Sequence, residues 1–428
     1  MNVETNTPEI RFMGFSESWL HKTIDDLINE EVIYPPKDGN HGGIHPKATD
    51  YVEYGIPFIM ANNIRGGEIH YGGCYHISLQ QAQTLQKGFA KTGDILLTHK
   101  GTVGEVAIIG RIEFPYLMLT PQVTYYRICD TSKLDTYFLA TAFRSNSFQK
   151  PLKEEAGGGT RAYIGITAQK GLELSIPQNI EEQKELGNYF QKLDNLINQH
   201  QQKHDKLSNL KKAMLEKMFP KAGETVPEIR FDGFSGEWLK VKLKSIATVK
   251  RGLTYKPADL ASEGIAVLRS SNIDVDRFLF RSDDVYVRPE AVNIDSINNG
   301  DILVTAANGS SHLVGKHAVI TEMSPIQKAV HGGFMLAVTT ESPYFLNASM
   351  NTYWYRRFLS VNVAGGNGAI GNIKGSALEQ EELFVPEVAE QAKIGIYFQK
   401  LDALINQHKQ QITKLKNIKQ ACLDKMFV

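Results

Sequence analysis

The chain has little cysteine and no long apolar run. Its three cysteines, Cys74, Cys129 and Cys422, are odd in number and far apart, which excludes a disulfide framework and a paired-cysteine metal half-site and leaves them the role of small buried residues. No stretch approaches the roughly 18 consecutive apolar residues of a membrane span, and the opening MNVETNTPEIRF has no apolar signal core. The expectation is therefore a cytoplasmic protein without a membrane partner. An excess of one charge is also missing, with 47 basic residues against 47 acidic ones, so no global field points to nucleic acid or to a lipid surface.

Catalytic patterns are absent as well. Residues 309–317, GSSHLVGKH, look like a phosphate loop but carry one residue too many between the glycines and a His where Ser or Thr should hold magnesium. Gly366, Gly368 and Gly371 fit a dinucleotide fingerprint but lead into a polar segment without the flanking strand and helix. His41 and His45 have glycines between them and no ligand-spaced carboxylate after them. Tyr34, Pro35 and Pro36 reverse the order of the Asn/Asp-Pro-Pro-aromatic motif of amino-methyltransferases, so no amide or carboxylate stands where an exocyclic amine would lie. The chain reads as non-catalytic, with no metal and no cofactor of its own.

What is present is a tandem duplication. PEIRFMGFSESWL at residues 8–20 returns as PEIRFDGFSGEWL at 227–239, and YFQKLDNLINQH at 189–200 returns as YFQKLDALINQH at 397–408. Between them, IPFIMANNI answers IAVLRSSNI, GDILL answers GDILV, and an apolar strand closes at Pro177 and again at Pro386. Each unit runs from the PEIRF lead-in through about 150 residues of short β-rich runs and helical patches to a long helix. The expectation is a mixed α/β domain with a curved, largely antiparallel sheet, occurring twice.

The helices carry seven-residue apolar repeats over about four heptads, without interior proline. Leu186, Phe190, Leu193, Ile197, Leu207 and Met214 form the line in residues 183–219. Ile394, Phe398, Leu401, Ile405, Ile412 and Leu415 form it in 391–427. Each helix would be a rod of roughly 55 Å, and two rods in one chain most simply pair with each other. With Leu186 beside Met426, His204 falls opposite His408, a polar seam position that fixes register better than it binds metal. Lys203 to Lys221, six basic residues against two acidic, suit phosphates, a protein partner or a solvated helix end equally well.

Three pairs of loops occupy matching places in the two copies. Asn62, Asn63 and Arg65 match Arg269, Ser271 and Asn272 after predicted strands. Thr98, His99, Lys100 and Thr102 match Asn308 and Ser310 after GDIL. Thr160, Arg161 and Tyr163 match Asn367 and Asn372 in Gly-rich stretches. Short polar donors and basic side chains in such loops can reach base edges or phosphates. For any one residue alone a surface turn is the favoured reading, and the weight lies in three matched loops in two divergent copies. Their divergence on a retained scaffold suggests two binding surfaces with different ligands.

The paired YFQKLDxLINQH helices with their KMF endings, the two PEIRFxGF segments and GDILLTHKGTVGEVAI closely resemble the specificity subunit of type I DNA restriction-modification systems, over essentially the whole length. The resemblance implies target recognition domains at residues 1–180 and 221–388, separated by two conserved coiled-coil helices at 181–220 and 389–428, packed antiparallel about a pseudo-twofold axis. It implies double-stranded DNA as ligand, each domain reading one half of a split target while the helices set the spacer. It implies two adenine-N6 methyltransferase subunits as partners, which supply S-adenosylmethionine, and an ATP- and magnesium-dependent translocase and nuclease subunit that can join them. The alternative is a solitary two-domain DNA-binding or adaptor protein. A fused methyltransferase is disfavoured by the missing motifs.

Overall fold

The heptad-bearing stretches form the two longest elements, a central helix, Ile180–Lys217, and a C-terminal helix, Val388–Met426. In this computed structural model, residues 7–159, 162–321, 323–324, 328–363 and 372–428 are described. Asn179 accepts the Glu181 backbone N–H at 2.9 Å and so caps the central helix. Acidic first turns suit the positive ends of both helix dipoles. The chain divides into two compact units, Met1–Gln201 with Gln410–Val428, and Gln202–Lys409. These do not follow boundaries at 180, 220 and 388, because each unit takes part of both helices.

The first unit contains a four-stranded antiparallel sheet in the order Thr102–Ile108, Ile95–Lys100, Val123–Tyr126, Lys37–Asp38. A five-stranded sheet includes Ile56–Ile59 parallel to Leu117–Leu119. The second unit repeats the plan, with Ala247–Arg251, Met335–Thr340, Ile302–Thr305 and His317–Val319 in one sheet and Ile265–Leu268 parallel to Ala329–His331 in the other. Each region is thus mixed α/β, as the sequence suggests, with two main sheets and two two-stranded ones in place of one curved sheet. The strand before each proline pairs antiparallel with the segment after the repeated Trp-Leu, Leu20 facing Ile176 and Leu239 facing Val385. The repeated helical Gln then closes the turn: Gln183 and Gln391 each donate to the carbonyl of that proline at 2.9 Å.

Each core is completed by the end of a helix that began elsewhere in the chain. In the first unit Phe427 lies 5.8–6.0 Å, ring to ring, from Phe190, Phe138 and Trp19. In the second, Phe219 sits 5.7–5.9 Å from Phe345, Trp238 and Phe398. Repetition of KMF therefore reflects an exchange of helix ends, the central helix closing the second core and the C-terminal helix the first.

PEIRF clamps both helix ends. The Ile10 N–H donates to Lys425 O at 2.9 Å, and the Ile229 N–H to Lys217 O at 2.8 Å, satisfying carbonyls that a helix terminus leaves open. From the same segment Arg11 grips Glu182 through two bonds of 2.6 and 2.8 Å, and Arg230 grips Glu390 at 2.9 and 2.6 Å. Both glutamates are almost wholly buried, so the planar fork supplies the charge partner that burial demands.

Within each unit the two helices run antiparallel, close to the register that sets Leu186 beside Met426. Tyr189 meets Cys422 and Asp194 meets Lys419 in the first unit; Lys211 meets Asp402 in the second. Leu186, Phe190, Leu193, Ile197, Ile394, Phe398, Leu401 and Ile412 are buried, while Leu207, Met214, Ile405 and Leu415 are half-buried. Several of them pack on the globular core as well as on the facing helix.

Lys211 and Lys419, polar intruders in the apolar line, are explained by ion clusters. Asp194 takes Lys419 and, at 3.0 Å, Arg144; Lys211 takes Asp402 at 2.6 Å and Asp276 at 2.7 Å. Burial disfavours the Lys211 ammonium, but two carboxylates outweigh it and hold its pKa above the usual lysine value. Lys419 ends below that value, burial prevailing over Asp194 while Arg144 adds repulsion. Of the cysteines only Cys74 is buried; Cys129 is exposed and Cys422 half-buried, which corrects the expectation for the latter two.

Candidate nucleic-acid interface

In each unit the loop after GDIL meets, at one sheet end, the chain that follows the Gly-rich stretch. In the first, Lys100 bridges Tyr163, Gly101 N–H donates to Ala162 O at 3.0 Å, and Ile164 N–H donates to His99 O at 3.0 Å. In the second, Ala307 bridges Asn372 and Ile373 N–H donates to Ala306 O at 2.8 Å. The matched pairing has a simple cause: the strand carries on past its sheet partner and its backbone takes the returning chain as a short extra rung.

The chemistry displayed there differs between copies. Lys100 is exposed, with its ammonium 6.0 Å from the ring centre of Tyr163, itself 48% exposed, and Thr102 is exposed beside them. A cation over an aromatic face can meet a phosphate and a base together. The second copy instead presents neutral groups. Asn372 and Ser310 are exposed, and Asn308 donates to Ser270 Oγ at 2.9 Å, which joins this loop to the Arg269–Asn272 loop. Thr160, Arg161 and Asn367 lie outside the described residues.

Several residues expected to face a ligand instead hold the loops. Asn63 is buried, accepting Met60 N–H at 2.9 Å and donating to His70 O at 3.3 Å. Asn272 is fully buried, accepting Arg269 N–H at 2.7 Å and donating to Leu279 O and Asp284. The same side chain thus ties the same turn in both copies, which corrects the reading of these two as base contacts. Thr98 and His99 are also fully buried. The Thr98 hydroxyl accepts Glu105 N–H at 2.9 Å, and His99 Nδ1 pairs with Ile164 O at 3.0 Å. Burial holds the His99 pKa below the ordinary imidazole value, and its ring lies 5.8 Å from that of Tyr163, tilted by 45°. Arg269 donates to Asp283 O at 3.1 Å and Ser271 is half-buried, its carbonyl accepting from Arg281. Asn62 and Arg65 remain exposed.

A second role emerges for the segment after Asn63 and Asn272. Strands Ile64–Arg65 and Glu68–Ile69 form a hairpin, as do Ile273–Asp274 and Arg277–Phe278, and both face the long helices. Asn198 donates to Glu68 in the first unit. In the second, Arg277 donates to Asn406 at 3.0 Å and Lys409 pairs with Asp274 at 3.0 Å. These helix residues are polar and lie outside the heptad line, so apolar periodicity does not mark them. Identity of INQH in both copies was the available signal.

Comparisons with known proteins bear on the family and the fold. The model of the type I restriction modification DNA specificity domain matches twice, at residues 18–209 and 235–417. The StySPI specificity subunit of Salmonella potsdam is 29% identical over 191 residues, a stretch covering 43% of this chain and 39% of that relative. The MjaVIII specificity subunit of Methanocaldococcus jannaschii is 22% identical over 297 residues, covering 66% of this chain and 67% of the relative. In fold the chain is similar to the crystal structure of a type I restriction-modification S subunit from M. genitalium, with a TM-score of 0.68, 15% identity and 99% of both chains covered. No helix among the described residues is long and apolar enough to cross a membrane. Carrying two matched DNA specificity domains on exchanged helices, the chain belongs to the type I restriction-modification DNA specificity family.

Proposed function

We propose that this chain is the non-catalytic specificity subunit of a type I enzyme, each globular region reading one half of a split double-stranded DNA target. The observation that carries the reading is the double match of the DNA specificity domain, joined to two equivalent loop clusters whose surfaces differ: Lys100 on Tyr163 in one, Asn308, Ser310 and Asn372 in the other. One scaffold with two chemistries suits two unlike half-sites.

Two adenine-N6 methyltransferase subunits are the partners this reading assigns. Support comes from apolar positions left exposed at matching places on both helices, Leu196 with Leu404 and Leu210 with Ile418. A surface presented twice suits two copies of one partner. S-adenosylmethionine would belong to those subunits, and ATP with magnesium to a translocase subunit that could join them. Balanced charge gives the isolated chain little phosphate affinity of its own, so tight DNA binding should need the partners around the duplex. Sequencing that detects methylated adenines, with and without the gene, tests this. A bipartite motif methylated only when the gene is present is the expected outcome, and an unchanged methylation map would refute it.

A further inference from the structure

The helix-facing hairpins raise a question that the family assignment leaves open. The two helices carry the same residues at the contact, Asn198 and Asn406, yet the hairpins offer opposite charges, Glu68 in one copy and Arg277 in the other. An amide has both a carbonyl acceptor and an NH₂ donor. Turned one way Asn198 donates to the Glu68 carboxylate; turned the other, Asn406 accepts from the Arg277 guanidinium. Neither Asp nor Lys could serve both.

The surrounding contacts repeat this division of labour. The helices contribute a constant Asp–Lys pair in each unit, and each globular region adds a third charge that suits it. Arg144 meets Asp194 in the first unit and also donates to Val106 O at 3.1 Å and to Gly67 O at the hairpin tip. Asp276, at the tip of the second hairpin, meets Lys211. There Val275 has a left-handed backbone, φ 58°, a strained conformation for a β-branched residue that needs neighbouring contacts to hold it. The first hairpin turns on Gly66 and Gly67, at φ 61° and 89°, where no such strain arises.

We propose that Asn198 and Asn406 are positioning residues: each is a charge-neutral joint through which the same helix sequence fixes the hairpin, and with it the base-reading loops, of recognition regions with opposite contact charges. That the loops read DNA rests on the function proposed above; the joint itself does not.

The equivalent substitution at the two sites should act in opposite directions. Asn198→Asp sets a carboxylate against Glu68, whereas Asn406→Asp gives Arg277 an ion-pair partner. An aspartate, Asp194 or Asp402, stands four residues earlier at both sites. Backbone hydrogen exchange in the full chain is the readout. In Asn198→Asp, amides of residues 64–70 should exchange about tenfold faster or more, with 273–279 unchanged. In Asn406→Asp, residues 273–279 should be as protected as in the parent or more so. Adding Glu68→Arg to Asn198→Asp should restore protection of the first hairpin. Equal losses in both single variants, or no loss in either, would overturn the proposal. Methylated-adenine sequencing of the same variants addresses the DNA reading separately: with exchange behaving as stated, a map unaffected by deleting the gene would count against the proposed function and leave the joint standing.

Discussion

Removing residues 422–428 from the C-terminus should unfold the N-terminal unit and spare the unit that precedes the deletion in sequence. Leu423, Met426 and Phe427 are buried in the first core, against Trp19, Phe138 and Phe190. Loss of a buried Phe costs about 3–5 kcal/mol and of a Leu or Met about 2–5 each, together comparable with the whole stability of a domain, about 5–15 kcal/mol. Among the described residues, the second core takes nothing from the C-terminal helix beyond Leu401. Phe427→Ala alone should cost about 3–5 kcal/mol, and Phe219→Ala should do the same to the second unit. Unit-resolved hydrogen exchange checks this; a deletion that exposed the second unit first, or neither, would show that the helix ends are not exchanged.

Glu390→Gln should destabilise the second unit by about 3 kcal/mol, the usual cost of stranding one member of a buried ion pair. Glu390 is fully buried, and Arg230 spends both arms of its fork on it while donating a further bond to Gly236 O. The amide keeps shape and one acceptor but leaves the guanidinium half-buried without a counter-charge. Glu182→Gln should act likewise on the first unit, where Trp19 Nε1 also donates to Glu182 at 3.3 Å. Replacing both partners with apolar residues, Glu390→Leu with Arg230→Met, should recover much of the loss. Denaturant titration of the variants gives the comparison, and a single variant as stable as the parent would show that the fork contributes nothing.

Much of this architecture was legible in the sequence because it repeats. A fixed offset between PEIRF, YFQKLD and KMF marked two equivalent units, and heptad spacing marked the helices. The strand before each proline was visible from its apolar run. Polar residues misled for a common reason: after a strand, an Asn or Thr that closes a turn looks the same as one that faces a ligand. Asn63, Asn272 and Thr98 proved to be of the first kind. Glu182 and Glu390 were invisible as buried charges because their partners, Arg11 and Arg230, lie 171 and 160 residues away. The end-to-end pairing of the helices was legible from their heptads, but the entry of the KMF ends into the globular cores was hidden, since no local pattern reveals that Phe427 belongs to the core of Trp19.

If two recognition regions read two half-sites whose separation the paired helices set, lengthening the helices should lengthen the gap. One heptad inserted between Gln201 and Gln202, together with one between Lys409 and Gln410, keeps the pairing in register on both sides and adds about 10 Å of helix. That length corresponds to about three base pairs. Sequencing of methylated adenines in cells carrying the lengthened chain should show both half-sites unchanged and the gap between them longer. Altered half-sites, or the original gap, would contradict the account.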